Sequence, residues 1–216
     1  MHWQFYGPDA VLLRFADALR EDAFQRSRSI AAELERQPPP GLIEFVPAFT
    51  TVLLEFDSDQ PIAEIMPELI ERLQRAVAQP LPPGKLHRIP IVYDGEDLDR
   101  VAKAHQLSTD EVCALHAKPI YNVCFLGFAP GFPYLSPLDP GLHTERLPSP
   151  RPRVLAGSVA IGGQHTGIYP VETAAGWNIV GHTTVALFDH TAEESEMFLL
   201  HAGDRVQFIP ENTKDA

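Results

Sequence analysis

The sequence predicts an α+β protein: a small two-layer α/β domain over residues 1–83, followed by a β-barrel domain over residues 84–216. Three observations carry this. The amino-terminal part reads strand, helix, strand, strand, helix. The stretch Gln79-Pro80-Leu81-Pro82-Pro83-Gly84 is too proline-rich for a helix or a central strand, and reads as a linker. From Val154 onward, short β-rich runs alternate with turns at close spacing, which favours a closed barrel over a layered parallel sheet.

Ala10-Val11-Leu12-Leu13-Arg14-Phe15 follows a turn at Tyr6-Gly7-Pro8-Asp9 and reads as a strand. Arg26 to Gln37 reads as a helix, with Ile30 and Leu34 four apart and a stop at Pro38-Pro39-Pro40-Gly41. Leu42 to Val46 and Thr51 to Phe56 flank Pro47 as a hairpin. A second helix starts near Pro61: Ile62, Ile65, Met66, Leu69, Leu73 and Val77 form one apolar stripe opposite Glu64, Glu68, Glu71 and Arg75.

The second domain opens with a strand from Leu86 to Tyr93 that ends at Asp94-Gly95. Two short helices follow, around Leu98 to His105 and Thr109 to Ala117, the latter capped by Ser108 with Glu111 three residues on. Tyr121 to Phe128 is apolar and β-rich. Later strands are expected at Ser158 to Ile161, Gly167 to Tyr169, Trp177 to Val180, Val185 to Phe188 and Arg205 to Ile209. Glu193 to Leu200 suits a short helix, and Glu211 to Ala216 a frayed end.

With 216 residues, 44% hydrophobic and 21% charged, the chain has an ordinary globular composition. No apolar run is long enough to cross a bilayer, and Met1 to Phe5 lacks a basic region followed by an apolar core, so the cytoplasm is the expected compartment. A net charge of -12 argues against polyanion binding, since nucleic-acid affinity depends on cationic side chains. Cys113 and Cys124, the two cysteines, suggest neither a disulfide framework nor a zinc site. His165, His182, His190 and His201 lack the close spacing that puts two imidazoles on one cation, so no metal is expected.

Tyr121 to Phe188 concentrates the residues that shape a site. Glycine permits backbone conformations closed to other residues and proline fixes φ, so their dense alternation specifies loop shape. Phe128, Phe132, Tyr134, Gln164, Tyr169 and Trp177, set between backbone pins such as Pro130, Gly131 and Gly167, read together as the lip of a pocket; turn-making alone is the bland alternative. Gly157 to Gln164 has the glycine spacing of a phosphate-binding loop but not its lysine. No Gly-x-Ser-x-Gly elbow is present, and Ser158 reads as a strand residue. Glu145 and Glu172 border the glycine-rich segments as candidate acid/base groups.

Leu126 to Leu135, Ala156 to Ile161, Thr166 to Pro170 and Gly176 to Gly181 closely resemble the family known as the 5-oxoprolinase B subunits, allophanate hydrolase subunit 1 or Kip-type kinase inhibitors. Tyr6-Gly7 with Asp9-Ala10, and Leu107 to His116, fit it too, so the resemblance spans essentially the whole chain. It implies a cyclophilin-like barrel for the second domain. It further implies an assembly with a related C-type subunit and a third subunit that uses ATP, with Mg, to open 5-oxoproline to glutamate. ATP would be shared with or held by a partner, and this chain alone would be inactive. Alternatives within the family are inhibition of a sensor histidine kinase and an allophanate hydrolase or urea carboxylase-type role on another small amide. Carried onto this chain, Arg151 and Arg153 are the expected charge clamp. Gln164 and Thr166 are the expected polar donors, and Tyr169 with His182 orient the substrate against Phe128, Phe132 and Tyr134. His182 stands where the family usually has arginine, and against the expected Gln-Thr-Gly either His165 is extra or Gln164 is displaced by one.

Overall fold

The computed structural model describes residues 1–17, 21–79, 81–193 and 195–211. The chain divides into two compact units, Met1–Pro82 and Pro83–Ala216. The amino-terminal unit contains β1 (His2–Phe5), β2 (Ala10–Arg14), α1 (Glu21–Arg36), β3 (Leu42–Pro47), β4 (Thr51–Phe56) and α2 (Ile62–Val77). The strands form an antiparallel sheet in the order β1-β2-β4-β3. Period-two alternation sends Val11, Leu13, Val52 and Leu54 inward, where they meet Ile30, Leu34, Met66 and Leu73 of the two helices. Glu33 of α1 pairs with Arg36 of the same helix and with Arg72 of α2. β1 was not foreseen, because His2-Trp3-Gln4-Phe5 is too short and polar to stand out alone.

The carboxyl-terminal unit contains β5 (Leu86–Ile91), α3 (Leu98–His105), α4 (Thr109–Ala117), β6 (Tyr121–Leu126), β7 (Pro133–Ser136), β8 (Arg151–Val154), β9 (Ser158–Gly162), β10 (His165–Ile168), β11 (Thr173–Ala175), β12 (Asn178–His182) and β13 (Arg205–Pro210). Seven strands form one sheet in the order β12-β9-β10-β7-β6-β13-β5, and β8 pairs with β11 as a separate ribbon. β13 and β5 run parallel, whereas β13 and β6 run antiparallel. A bridge between Val92 and His182, with both backbone bonds at 2.9 Å, joins the end of β5 to β12 and nearly closes the barrel. The core is filled by inward residues such as Val123, Leu135, Val159, Ile161, Ile168 and Val180. Ser108 and Glu111 form the capping box that starts α4.

Two expectations fail. Residues 185–188 and 193–200 form no extended strand or helix among the described residues; the segment is a loop held by a Phe188–Phe198 bridge, with those rings stacked at 5.3 Å. Phe188 and Phe198 meet across the loop, a non-local pairing that local propensity does not report. The carboxyl-terminal fraying expected beyond Glu211 falls outside the described residues.

A buried polar relay ties α4 to the barrel interior. His116 Nε2 lies 2.8 Å from Thr166 Oγ1, whose own hydroxyl donates to Ala160 O, and Tyr93 OH lies 2.8 Å from His116 Nδ1. Thr166 has its proton committed to Ala160, so it accepts from Nε2–H and the phenol donates to Nδ1. Both imidazole nitrogens are thereby satisfied, which is the condition for burying the ring. Burial holds the His116 pKa at about 3, against 6.5 ordinarily. The unfolded chain therefore binds a proton that folded His116 refuses across that window, and stability falls as pH drops through it, by about 1.4 kcal/mol per pH unit. Urea midpoints measured from pH 7 to pH 4 are expected to fall more steeply for wild type than for His116→Gln; parallel curves would contradict the assignment.

Candidate functional site

The outer face of the barrel carries an aromatic cluster. Ala160 of β9 and Gly167 of β10 point outward, opposite to Val159, Thr166 and Ile168, and their small size leaves room for rings above them. Phe132 lies over Gly167: a Cβ there would stand 2.8 Å from Phe132 Cζ and 2.8 Å from Pro133 O. Phe132 meets Tyr169 at 5.0 Å, Tyr134 at 5.2 Å and Trp177 at 5.4 Å, all in edge-on geometry. Val154 of β8 and Ala175 of β11 pack on this cluster. Phe128 reaches it from the loop, 5.5 Å from Phe132 and 6.3 Å from Tyr169, while remaining 61% exposed. Its φ of 73° is a left-handed conformation costly for an aromatic residue, so the surrounding loop must hold it in place. Arg146 stands 5.8 Å above the Trp177 ring. Burial pushes the Tyr169 phenol up to about 12 and pulls His165 down to about 4, with Arg146 a smaller influence on both.

A cleft of about 410 Å³ opens beside this cluster at the barrel seam, where the Val92–His182 bridge joins β5 to β12. The segment after β5 passes so close to β12 that neither tolerates a side chain at the crossing. A Cβ on Gly95 would strike the Ile179 carbonyl, and one on Gly181 the Val92 carbonyl. Asp94 and Glu96 line one side, Arg153, Val154 and Leu155 of the β8 region another, and Ser158, Ile179 and His182 the remainder. Asp94 Oδ1 accepts from His182 Nδ1 at 2.7 Å. Behind the cleft, Arg151 Nε contacts Glu96 at 2.8 Å and its NH2 group donates to Asp97 Oδ1 at 2.8 Å. Asp97 Oδ2 accepts from Ile179 N at 2.7 Å. This buried carboxylate thus staples the 94–97 segment to both β8 and β12.

The residues expected to line one site divide accordingly. Arg153 and His182 share the cleft, with Arg153 exposed and paired to Glu172 at 2.8 Å. Phe128, Phe132, Tyr134, Tyr169 and Trp177 share the aromatic cluster, with Gly167 beneath it. The two regions adjoin through Val154 and Ile179. Pro130 and Gly131 shape the Phe128 loop, and Gly131 takes φ 76° against Phe198.

Several expected residues sit differently from a single shared pocket. Thr166 is fully buried on the inner face and bonded to His116, so it is a core residue; strand alternation puts it on the side opposite Gly167. Gln164 is exposed in the β9–β10 turn, roughly 15 Å along the hairpin from Ser158, and takes no part in the cleft. Arg151 has its charge met by Glu96 and Asp97 and positions the segment rather than clamping a ligand. Phe132, Tyr169 and Trp177 are almost wholly covered, so they support a surface more than they form a lip. Asp94, Glu96, Asp97 and Arg146 are not among the site residues expected from the sequence. Asp94-Gly95 alone left a signal there, and it reads equally as a turn.

Residues 1–199 match a family model described as the carboxyltransferase domain, subdomain C and D. The chain is 37% identical over 223 residues to the 5-oxoprolinase B subunit of Bacillus subtilis (strain 168), covering 97% of this chain and 92% of that protein. It is 42% identical over 211 residues to the 5-oxoprolinase B subunit of Escherichia coli O157:H7, covering 95% and 94%. Among solved structures it superposes on TTHA0988 with a TM-score of 0.80 at 42% identity. That superposition covers 96% of this chain, which spans only 40% of TTHA0988.

Proposed function

The chain belongs to the carboxyltransferase-domain family that includes the 5-oxoprolinase B subunits, and from that membership we propose that it is the B-type component of an ATP-dependent assembly opening 5-oxoproline to glutamate, acting with a C-type partner and a third subunit. The observation that carries the reading is the match along nearly the whole length of both curated relatives, at 37% and 42% identity. The seam cleft is the small-molecule end of this reading. Its exposed Arg153 offers a fixed cation to the carboxylate of 5-oxoproline, and Ser158 and His182 offer groups to the lactam. Val154, Leu155 and Ile179 supply the apolar wall for the ring methylenes.

The residues with phosphate-loop spacing do not fit a nucleotide. Gly157 to Gln164 is a strand and a turn whose amides are engaged: Gly157 N donates to Tyr169 O and Gly163 N to Thr144 O. ATP, with its Mg, would be shared with or held by a partner subunit. This chain contributes binding and orientation, and is expected not to turn over 5-oxoproline without its partners.

The test is co-purification with the partner subunits followed by 5-oxoproline-dependent ATP turnover. In that assembly Arg153→Ala is expected to lower turnover roughly 10- to 100-fold, the loss of one charge-assisted contact. Its pair with Glu172 is solvent-exposed, so the melting temperature of the chain should hardly change. Unchanged turnover would remove Arg153 from the site, and absence of turnover in the wild-type assembly would overturn the function.

A further inference from the structure

We propose that Ser158, His182 and Asp94 act as nucleophile, base and orienting carboxylate, giving this chain an acyl-transfer activity of its own on small activated esters. The activity is separate from that of the assembly and needs no nucleotide. Asp94 Oδ1 accepts the Nδ1 proton of His182 at 2.7 Å, which leaves the Nε2 lone pair free to take a proton. Ser158 and His182 stand directly opposite on β9 and β12. His182 exchanges both of its backbone bonds with Val92, and Thr183 N donates to Gly157 O, so Ser158 and His182 form a non-hydrogen-bonded pair. Side chains approach most closely in such pairs, with Cβ atoms roughly 4.5–5.5 Å apart.

Both residues line the same cleft. The Ser158 hydroxyl is hydrogen-bonded to no other described residue, His182 included, so the two side chains must close onto each other when the ester is seated. The orienting carboxylate is held in turn: Arg151 binds Glu96 and Asp97, and Asp97 binds Ile179 N, fixing the segment that presents Asp94. The sequence lacks a nucleophile elbow, but such a set is recognised by geometry and role rather than by pattern or chain order.

Ser158 Oγ attacks the ester carbonyl carbon while its proton passes to His182 Nε2. The tetrahedral oxyanion forms beside the Arg153 guanidinium. The carbon–oxygen bond to the alcohol breaks, and the alcohol leaves with the proton from Nε2, giving acyl-Ser158. Water then adds to that carbon, giving a proton to Nε2. The acyl–Oγ bond breaks, Oγ recovers the proton, and the free acid departs. Net, one ester and one water become one acid and one alcohol.

The experiment uses the purified full chain and p-nitrophenyl acetate. Release of p-nitrophenolate above the buffer rate is expected, with one acetyl group found by mass spectrometry on the peptide containing Ser158. A fluorophosphonate should label the same residue in the wild-type chain, which keeps the test independent of any variant's folding. Ser158→Ala should lose both adducts. His182→Gln and Asp94→Asn should slow acetylation by about 100-fold or more at unchanged melting temperature. Asp94→Glu should recover part of the loss, as a positioning role requires. Acetylation confined to lysines, or a rate unchanged in Ser158→Ala, would overturn the proposal. Because 5-oxoproline turnover by the assembly is read separately, failure here leaves the 5-oxoprolinase reading standing, and the reverse also holds.

Discussion

Gly181→Ala is expected to lower the melting temperature of the carboxyl-terminal unit by roughly 10 °C, corresponding to about 3 kcal/mol for a unit of this size. The added methyl would be driven into the Val92 carbonyl oxygen, and Tyr93 Cα lies only 3.2 Å from the same point. Both obstacles are backbone, so no side chain can swing aside. The crossing can relieve the clash only by parting, which breaks the two Val92–His182 bonds that join the barrel edges. Overpacking at about 1–3 kcal/mol and two lost hydrogen bonds at about 1 kcal/mol each sum to the stated effect or more. The functional consequence follows from the same movement. Asp94, two residues beyond Val92, would lose its register with His182, and the cleft would lose its far wall. Thermal melting with and without urea checks the first part; a wild-type melt would show that the seam is not tightly packed.

Gly167→Val is expected to destabilise the same unit by about 3 kcal/mol and to disturb the aromatic cluster as a whole. Gly167 lies beneath Phe132 in the middle of β10, with the ring edge and the Pro133 carbonyl both 2.8 Å from a Cβ position. Phe132 is itself in contact with Phe128, Tyr134, Tyr169 and Trp177, so displacing it moves four other rings. The chain has only two tryptophans, Trp3 and Trp177, one in each unit. A red-shifted fluorescence emission together with an earlier melt is the expected signature, and retention of both wild-type values would contradict the packing described. Gly162 makes the parallel case, since a Cβ there would stand 2.4 Å from the Cδ2 and Cε2 atoms of the Trp177 ring.

The elements legible in the sequence were those with strong local signals. The α2 stripe, the Ser108–Glu111 cap and the β3–β4 hairpin each rest on periodicity or capping chemistry and were placed to within a residue or two. The aromatic cluster was legible as a set, because glycine, proline and aromatic residues cluster together in the chain. What was not legible was which face each strand residue takes. A one-residue shift in assigning β10 turns Thr166 from a core hydroxyl into a substrate donor, since the side-chain period in a strand is two. The cleft was hidden for a different reason. Asp94 to Asp97 and Ser158 to His182 are far apart in sequence, and they meet only because the barrel closes. Arg151 illustrates the same limit: its residue type suggests an anion clamp, and only the fold reveals that two carboxylates already occupy it. Ordinary-looking Asp94-Gly95 turned out to carry both the close crossing and the partner of His182.

Whether substrate binds at the barrel seam is decided by a crystal structure of the purified assembly grown with 5-oxoproline. Ligand density is expected in the seam cleft, its carboxylate within hydrogen-bond distance of Arg153 and its ring against Val154 and Ile179. Ordered 5-oxoproline bound wholly on the partner subunits, with the cleft of this chain filled only by solvent, would contradict that placement.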